Sequence, residues 1–232
     1  MDVLGDAIAR ERRSDATALT VPKSGRRYDY RRFCTSAWKT AHVLRHIGVR
    51  SGVGVAIADD PVPEPLLTFY GAATLGAIVT FGPPAEIESE TRALVVPTAE
   101  TNAYSFGAET KQIAYGGPPD DPSVSYFERD VWSENPTAPP DHIEPDQPLF
   151  RSTRKTYTHG DALRAAHETV DEYRITTDST VAVQGSFTDP TVVIAGCIAP
   201  IVAGAHLSIG PGASGDVIVG GRDSDIDAIE PK

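Results

Sequence analysis

Apolar positions in this chain alternate between helical spacing and short continuous runs, and that alternation predicts a βα architecture. Val3, Leu4 and Ile8 mark a short amphipathic helix, and residues 18–21 a strand. Asp29 is placed to N-cap a helix reaching His46, whose inner face is Phe33, Ala37, Ala41 and Leu44, with Gly48 as its stop. A buried strand at 53–58 leads into the turn Asp59-Asp60-Pro61. Pro65 suits the first position of a helix running to Leu75 and ended by Gly76. Residues 77–81, 93–96 and 112–115 then read as strands of one sheet.

From 116 to 147 the pattern lapses into Pro, Asp, Glu, Ser and Asn, anchored by Tyr126, Phe127, Val131 and Trp132, which reads as a long surface connection. The alternation then resumes. A strand at 149–152 precedes a helix with Thr158 as N-cap and Asp161 at its third position. The inner face of this helix is Ala162, Ala166, Thr169, Val170 and Tyr173. Strands at 181–184 and 206–209 flank a buried helix at 191–202, and 216–219 adds another strand. The expected division is a first βα lobe over 1–116, a Pro/acid-rich connection over 117–147, a second βα lobe over 148–222 and an acidic tail over 223–232. Strands alternating with helices imply mainly parallel pairing through right-handed crossovers, an α/β fold.

Composition narrows the class. The 232 residues carry a net charge of −11, which argues against nucleic acid or an anionic membrane as partner. Only five of the 21 basic residues are lysines (Lys23, Lys39, Lys111, Lys155 and Lys232). Acid-rich, lysine-poor composition of this haloarchaeal type fits a cytoplasmic protein of a salt-loving organism. In molar salt the Debye length falls to about 3 Å and the self-repulsion of such a surface is screened. Cys34 and Cys197 lie far apart on apolar stretches and read as buried free thiols rather than a disulfide or zinc site. No basic region precedes an apolar run at the N-terminus, so no signal peptide is expected, and the longest apolar stretch is too short for a span.

Three local words resemble the N-terminal part of the AMP-binding, adenylate-forming superfamily that includes acyl-CoA and acetyl-CoA synthetases. They are Arg27-Tyr28-Asp29-Tyr30-Arg31-Arg32-Phe33, the helix end Leu44-Arg45-His46-Ile47-Gly48-Val49, and the small-residue segment Tyr70-Gly71-Ala72-Ala73-Thr74-Leu75-Gly76-Ala77. The likeness resumes at Glu144-Pro145-Asp146, similar to the lead-in to the family's ATP loop, at Thr158-His159, and at Ala199-Pro200-Ile201-Val202-Ala203-Gly204-Ala205. It implies the N-terminal portion of the acyl-CoA synthetase-like fold, two βα lobes on mainly parallel sheets, and a family chemistry that uses ATP, Mg and CoA.

The departures carry as much weight as the matches. Where the family has a loop rich in Ser, Thr and Gly, this chain has Arg151-Ser152-Thr153-Arg154-Lys155 and no glycine. A phosphate cradle needs backbone N–H groups in conformations that glycine reaches without a steric penalty. Each charge-assisted hydrogen bond to phosphate contributes about 1.5–3 kcal/mol, so losing several costs decades of affinity. The family's adenine-binding motif, ribose-binding aspartate and catalytic lysine have no counterparts here, and no catalytic residue carries over. The expectation is a synthetase-like binding or partner module without independent adenylation and without a cofactor in the isolated chain. The alternative is one half of a split synthetase that activates a carboxylate with ATP when a second chain supplies the rest. A remnant anion site would use Arg151, Ser152, Thr153, Lys155 and Thr158, with Arg151, Thr153 and Lys155 on one face of a strand. Trp38, Ser186 and Phe187 are the expected crevice or partner contacts. Its partners would be a second chain, a copy of itself, or an acyl or anionic small molecule.

Lesser patterns point elsewhere. Gly210-Pro211-Gly212-Ala213-Ser214-Gly215 fits a dinucleotide fingerprint but is followed by strand rather than helix. His42 and His46 share a helical face with Trp38, yet Val43 stands where a zinc protease needs glutamate. Asp59-Asp60 and Asp120-Asp121 read as turn acids rather than metal ligands.

Overall fold

The structure, a computed structural model of the 232-residue chain, describes residues 1–221 and 224–227. Two sheets form, and neither follows chain order. The seven-stranded sheet contains β3 (Gly54–Ile57), β4 (Ile78–Phe81), β5 (Thr91–Pro97), β6 (Lys111–Tyr115), β7 (Ser125–Tyr126), β8 (Pro148–Arg151) and β9 (Thr156–Thr158). Its order is β7-β6-β5-β3-β4-β8-β9, parallel except where β9 returns antiparallel to β8. The five-stranded sheet contains β1 (Thr17–Val21), β2 (Arg26–Asp29), β10 (Thr180–Val183), β11 (His206–Ile209) and β12 (Val217–Val219). Its order is β12-β10-β11-β1-β2, and only β2 runs antiparallel. Sheet membership therefore crosses the lobe division expected from the sequence. β1 and β2 sit with the late strands because Leu19 pairs with Leu207 in register, and β8 and β9 complete the early sheet.

Between the sheets lie α1 (Tyr30–His46) and α2 (Pro63–Ala73). Asp29 caps α1 by accepting a bond from the Arg32 amide at 2.6 Å, and the expected face of Phe33, Ala37, Ala41 and Leu44 is fully buried. α2 begins at Pro63 rather than Pro65, and is buried along its whole length. The two helices cross at Gly71, where a Cβ would stand 2.9 Å from the Ala37 carbonyl oxygen. Only glycine permits that approach, and it brings Tyr70 against Phe33, ring centroids 5.3 Å apart. Tyr70 donates to the Cys197 carbonyl at 2.9 Å and Tyr30 to the Ala205 carbonyl at 2.7 Å, tying both helices to the second sheet's layer.

The expected helix at 191–202 forms as a π-helical stretch, Val192–Ile198, running into α5 (Ala199–Ala203). Pro200, without an N–H, sits in the first turn of α5, and Arg12 donates to the Ile201 and Val202 carbonyls at its end. The 117–147 connection is more structured than expected: β7 and α3 (Phe127–Ser133) fold within it. Phe127 and Val131 anchor α3 on α1, whereas the Trp132 ring is 77% exposed, with Lys39 donating to its carbonyl. Farther along, Glu134 pairs with His46, Asp141 with Arg45, and the Thr137 carbonyl bonds His42, strapping the connection across α1. Asp223 and 228–232 of the expected tail lie outside the described residues. Ser224–Asp227 fold back, with Ile226 buried beside Val219 and Asp225 accepting from the Ile218 amide. Both cysteines are free and buried, and burial pushes the Cys34 thiol up to about 11.

Candidate functional site

Parallel strands end together, and the C-terminal ends of β3 and β4 face those of β10 and β11 across a crevice, where Asp59 meets Ser186, Gly82 approaches Thr188 and Gly210 approaches Pro61. This is where open parallel sheets place ligands, because chain reversal on either side of a strand leaves a gap between loops. β3 has such neighbours: its chain proceeds to β4 on one side and then to β5 on the other.

On the first sheet's side, β3 delivers Asp59 and Asp60. Asp59 accepts from the Ser186 hydroxyl at 2.5 Å and from the Phe187 amide at 2.7 Å, so one carboxylate bridges both halves of the crevice. Ser186 also bonds Thr188 at 2.5 Å. Asp60 accepts from the Tyr115 hydroxyl at 3.0 Å, and burial raises its carboxyl above the usual carboxylate range. Both acids act as hydrogen-bond acceptors. No group of three or more His, Cys, Asp or Glu side chains among the described residues is placed to hold a metal ion. Gly82, at φ +57°, closes the end of β4, where a Cβ would come 2.4 Å from the Thr188 methyl.

On the other side, Gln184, Gly185 and the 210–213 loop line a cleft of about 420 Å³ with Pro61 opposite. Gln184 donates to the Ala213 carbonyl at 3.0 Å, pinning the loop. The loop's glycines lead into β12 rather than a helix, so no helix N-terminus stands there to receive a pyrophosphate.

The expected strand through 151–155 is instead a tight hairpin. β8 ends at Arg151, β9 starts at Thr156, and the Ser152 amide donates to the Lys155 carbonyl at 2.9 Å. The Ser152 hydroxyl oxygen accepts from the Arg154 and Lys155 amides at 3.4 and 3.2 Å. Thr153 thus occupies the turn, and Arg151, Thr153 and Lys155 do not share a strand face. The cations are also engaged. Arg151 pairs with Glu88 at 2.8 Å, and Lys155 with Asp161 at 3.3 Å while lying 4.7 Å above the Tyr157 ring. The bond from Lys155 holds the Asp161 carboxyl below its ordinary range. Thr158 does not reach the turn, because its hydroxyl caps α4 (His159–Tyr173) by accepting from the Asp161 amide at 3.0 Å. Amides at Ser152, Arg154 and Lys155 that a triphosphate would require already have protein acceptors. The hairpin does not fit that group.

Aromatic rings connect hairpin and crevice. Tyr157 stacks on Phe150 at 4.6 Å, Phe150 meets Phe69 at 6.2 Å, Phe69 meets Phe81 at 5.5 Å, and Phe81 meets Phe187 at 5.6 Å. Phe187 is thereby a buried packing residue beneath the crevice, and Ser186 lies at its surface. Trp38 is elsewhere: it is buried in α1 under the Arg13 guanidinium, 5.6 Å from its ring centroid, and does not reach the crevice. Asp59, Gly82 and Thr188 were missed by the sequence reading. The signal available was the pairing of a turn acid after one strand with Ser-Phe-Thr after another, which becomes visible only once the two strand ends face each other.

The AMP-binding enzyme family matches residues 6–103. That segment is similar to the AMP-binding enzyme family. A search of curated proteins found no match. Among solved structures, the anthranilate CoA ligase AuaEII in complex with anthranoyl-AMP superposes with a TM-score of 0.76 at 18% identity, over 91% of this chain and 45% of that one. ATP-bound MatB from Rhodopseudomonas palustris gives 0.75 at 13%, over 94% and 49%. The N-terminal domain of FACL13 from Mycobacterium tuberculosis gives 0.71 at 16%, over 90% and 57%. These likenesses show that the two-sheet fold extends over nearly the whole chain, which spans about half the length of those structures. No helix among the described residues is long and apolar enough to cross a membrane.

Proposed function

We propose that this chain is an acyl-CoA synthetase-like module that binds a partner chain or an acyl or anionic ligand at the crevice between its sheets, and that it does not adenylate a carboxylate by itself. The glycine-free hairpin carries this reading: its amides are bonded to Ser152 and Lys155, and Arg151 and Lys155 are neutralised by Glu88 and Asp161. A cradle whose donors are satisfied internally has to break those bonds before it can hold phosphate, which removes the preorganisation that makes such sites tight. The cleft beside Gln184 and the 210–213 loop offers apolar and backbone contacts to a small ligand instead.

A second reading is favoured by the extent of the structural match. About half of ATP-bound MatB lies outside the matched region. In that reading the chain is one half of a split synthetase, completed by a second chain. ATP–pyrophosphate exchange in molar salt separates the two. The module reading expects no exchange by the chain alone or with any complementing half. Exchange that appears only on addition of a chain carrying the remaining half establishes the second reading, and exchange by the chain alone overturns both.

A further inference from the structure

A second cleft lies away from the crevice. It is about 570 Å³ in volume, between β2, the N-terminal half of α1, and α3. Phe127 and Val131 form an apolar wall, and the exposed Trp132 ring stands at its rim.

The charges around this cleft run against the rest of the protein. In a chain of net charge −11, Arg13, Arg32 and Lys39 line one cavity and none has a carboxylate partner among the described residues. The Arg13 guanidinium lies over the Trp38 ring, and its Nε is buried with no acceptor. Arg32 donates to the Arg27 carbonyl and lies 4.3 Å from the Tyr28 ring centroid. Lys39 donates to the Trp132 carbonyl at 2.9 Å and sits 5.8 Å from the Trp132 ring centroid. The acids at the same cleft are already committed. Asp29 caps α1, and Glu64 holds Arg26 through bonds of 2.5 and 3.0 Å. Glu128 accepts from the Gly116 amide with one oxygen, while its other oxygen is buried without a partner. Burial raises the Glu128 carboxyl above the usual carboxylate range.

An unpartnered guanidinium N–H on a cavity is expensive unless something else supplies its bond. Guanidinium groups match the paired oxygens of carboxylates and phosphates, and the aromatic wall suits a flat apolar body. We propose that this cleft is a second binding site, taking an amphipathic oxyanion with a flat apolar body seated against Phe127 and Trp132 and its oxygens on Arg13, Arg32 and Lys39.

The probes are 2-naphthoate, 2-naphthyl phosphate and neutral 2-naphthamide, titrated calorimetrically into the full chain at one fixed salt concentration. The site requires that at least one anion bind at least about tenfold more tightly than the amide, since a single charge-assisted hydrogen bond is worth that much. Comparing the two anions assigns the head group as carboxylate or phosphate. Arg13→Gln and the surface change Trp132→Ala are each expected to weaken the preferred anion at least about fivefold. Pro211→Asp, in the crevice cleft, is expected to leave it unchanged. Thermal melts of each variant establish that it is folded, and Trp132→Ala, at an exposed position, keeps the test valid should Arg13→Gln fail to fold. Equal affinity for anions and amide, no binding of any probe, or loss of binding in Pro211→Asp but not in Trp132→Ala overturns the proposal.

Discussion

Acid should act on this protein through His159. The side chain opens α4 fully buried, and its Nδ1 accepts a bond from the Leu4 amide at 3.1 Å, while Nε2 is buried with no partner. That arrangement needs the neutral ring with its proton on Nε2. Desolvation lowers its pKa to about 4 from an ordinary 6.5, with Asp6 opposing weakly. The folded state therefore binds this proton less well than the unfolded chain, so stability is lost as pH falls through 6.5 and the loss saturates near 4. Linkage gives a loss of about 2 kcal/mol between pH 7 and pH 5, approaching about 3 kcal/mol at saturation. Burial lowers His206 as well, in the same direction. His159→Asn isolates the contribution, because its side-chain oxygen can still accept from Leu4 while carrying no titrating group. Urea unfolding at pH 7, 6 and 5 in constant salt should show the wild type losing about 2 kcal/mol more than the variant. Protonation also removes the acceptor of the Leu4 amide, so the buried Leu4–Ile8 turn should become cleavable by limited proteolysis near pH 5 in wild type alone. Parallel stability curves for the two proteins would refute the reasoning.

Other consequences follow from particular contacts. Asp59→Ala removes two bonds that join the sheets at an exposed edge, and equilibrium unfolding should register a loss of about 1–2 kcal/mol. Gly82→Ala meets both a positive φ and the Thr188 methyl, so it should destabilise by more than about 1 kcal/mol; adding Thr188→Ser should recover the steric part and leave the backbone part. Arg26→Leu strands Glu64, which is 2% exposed, and should cost about 3 kcal/mol, whereas Arg26→Leu with Glu64→Leu should regain most of it in a double-mutant cycle. Cys34 and Cys197 should react with an aromatic disulfide reagent only after denaturation, because burial raises both thiols and blocks access.

Much of the framework is legible from periodicity and caps. Asp29, Thr158 and the apolar face of α1 each specify a local outcome from neighbours within four residues, and those outcomes hold in the structure. What escapes the sequence depends on distant partners. β9 and the turn at Ser152–Lys155 are three or four residues long, too short for a period, and become a hairpin because β8 supplies an edge to pair with. α3 hides in a polar stretch since only Phe127 and Val131 face inward. Trp38 shares a helical face with His42 and His46 in the sequence, but Arg13 and the N-terminal segment cover it. The sharing of sheets between early and late strands rests on pairings almost two hundred residues apart, such as Leu19 with Leu207, which no local pattern encodes.

The most direct measurement is calorimetric titration of the isolated chain with ATP and magnesium in molar salt, beside the same titration of an Arg151→Ala/Lys155→Ala variant. A hairpin whose amides and cations are already satisfied predicts no measurable heat in either protein. Saturable ATP binding by the wild type that vanishes in the double variant would mean that the 151–155 turn opens to grip phosphate, and would contradict the account.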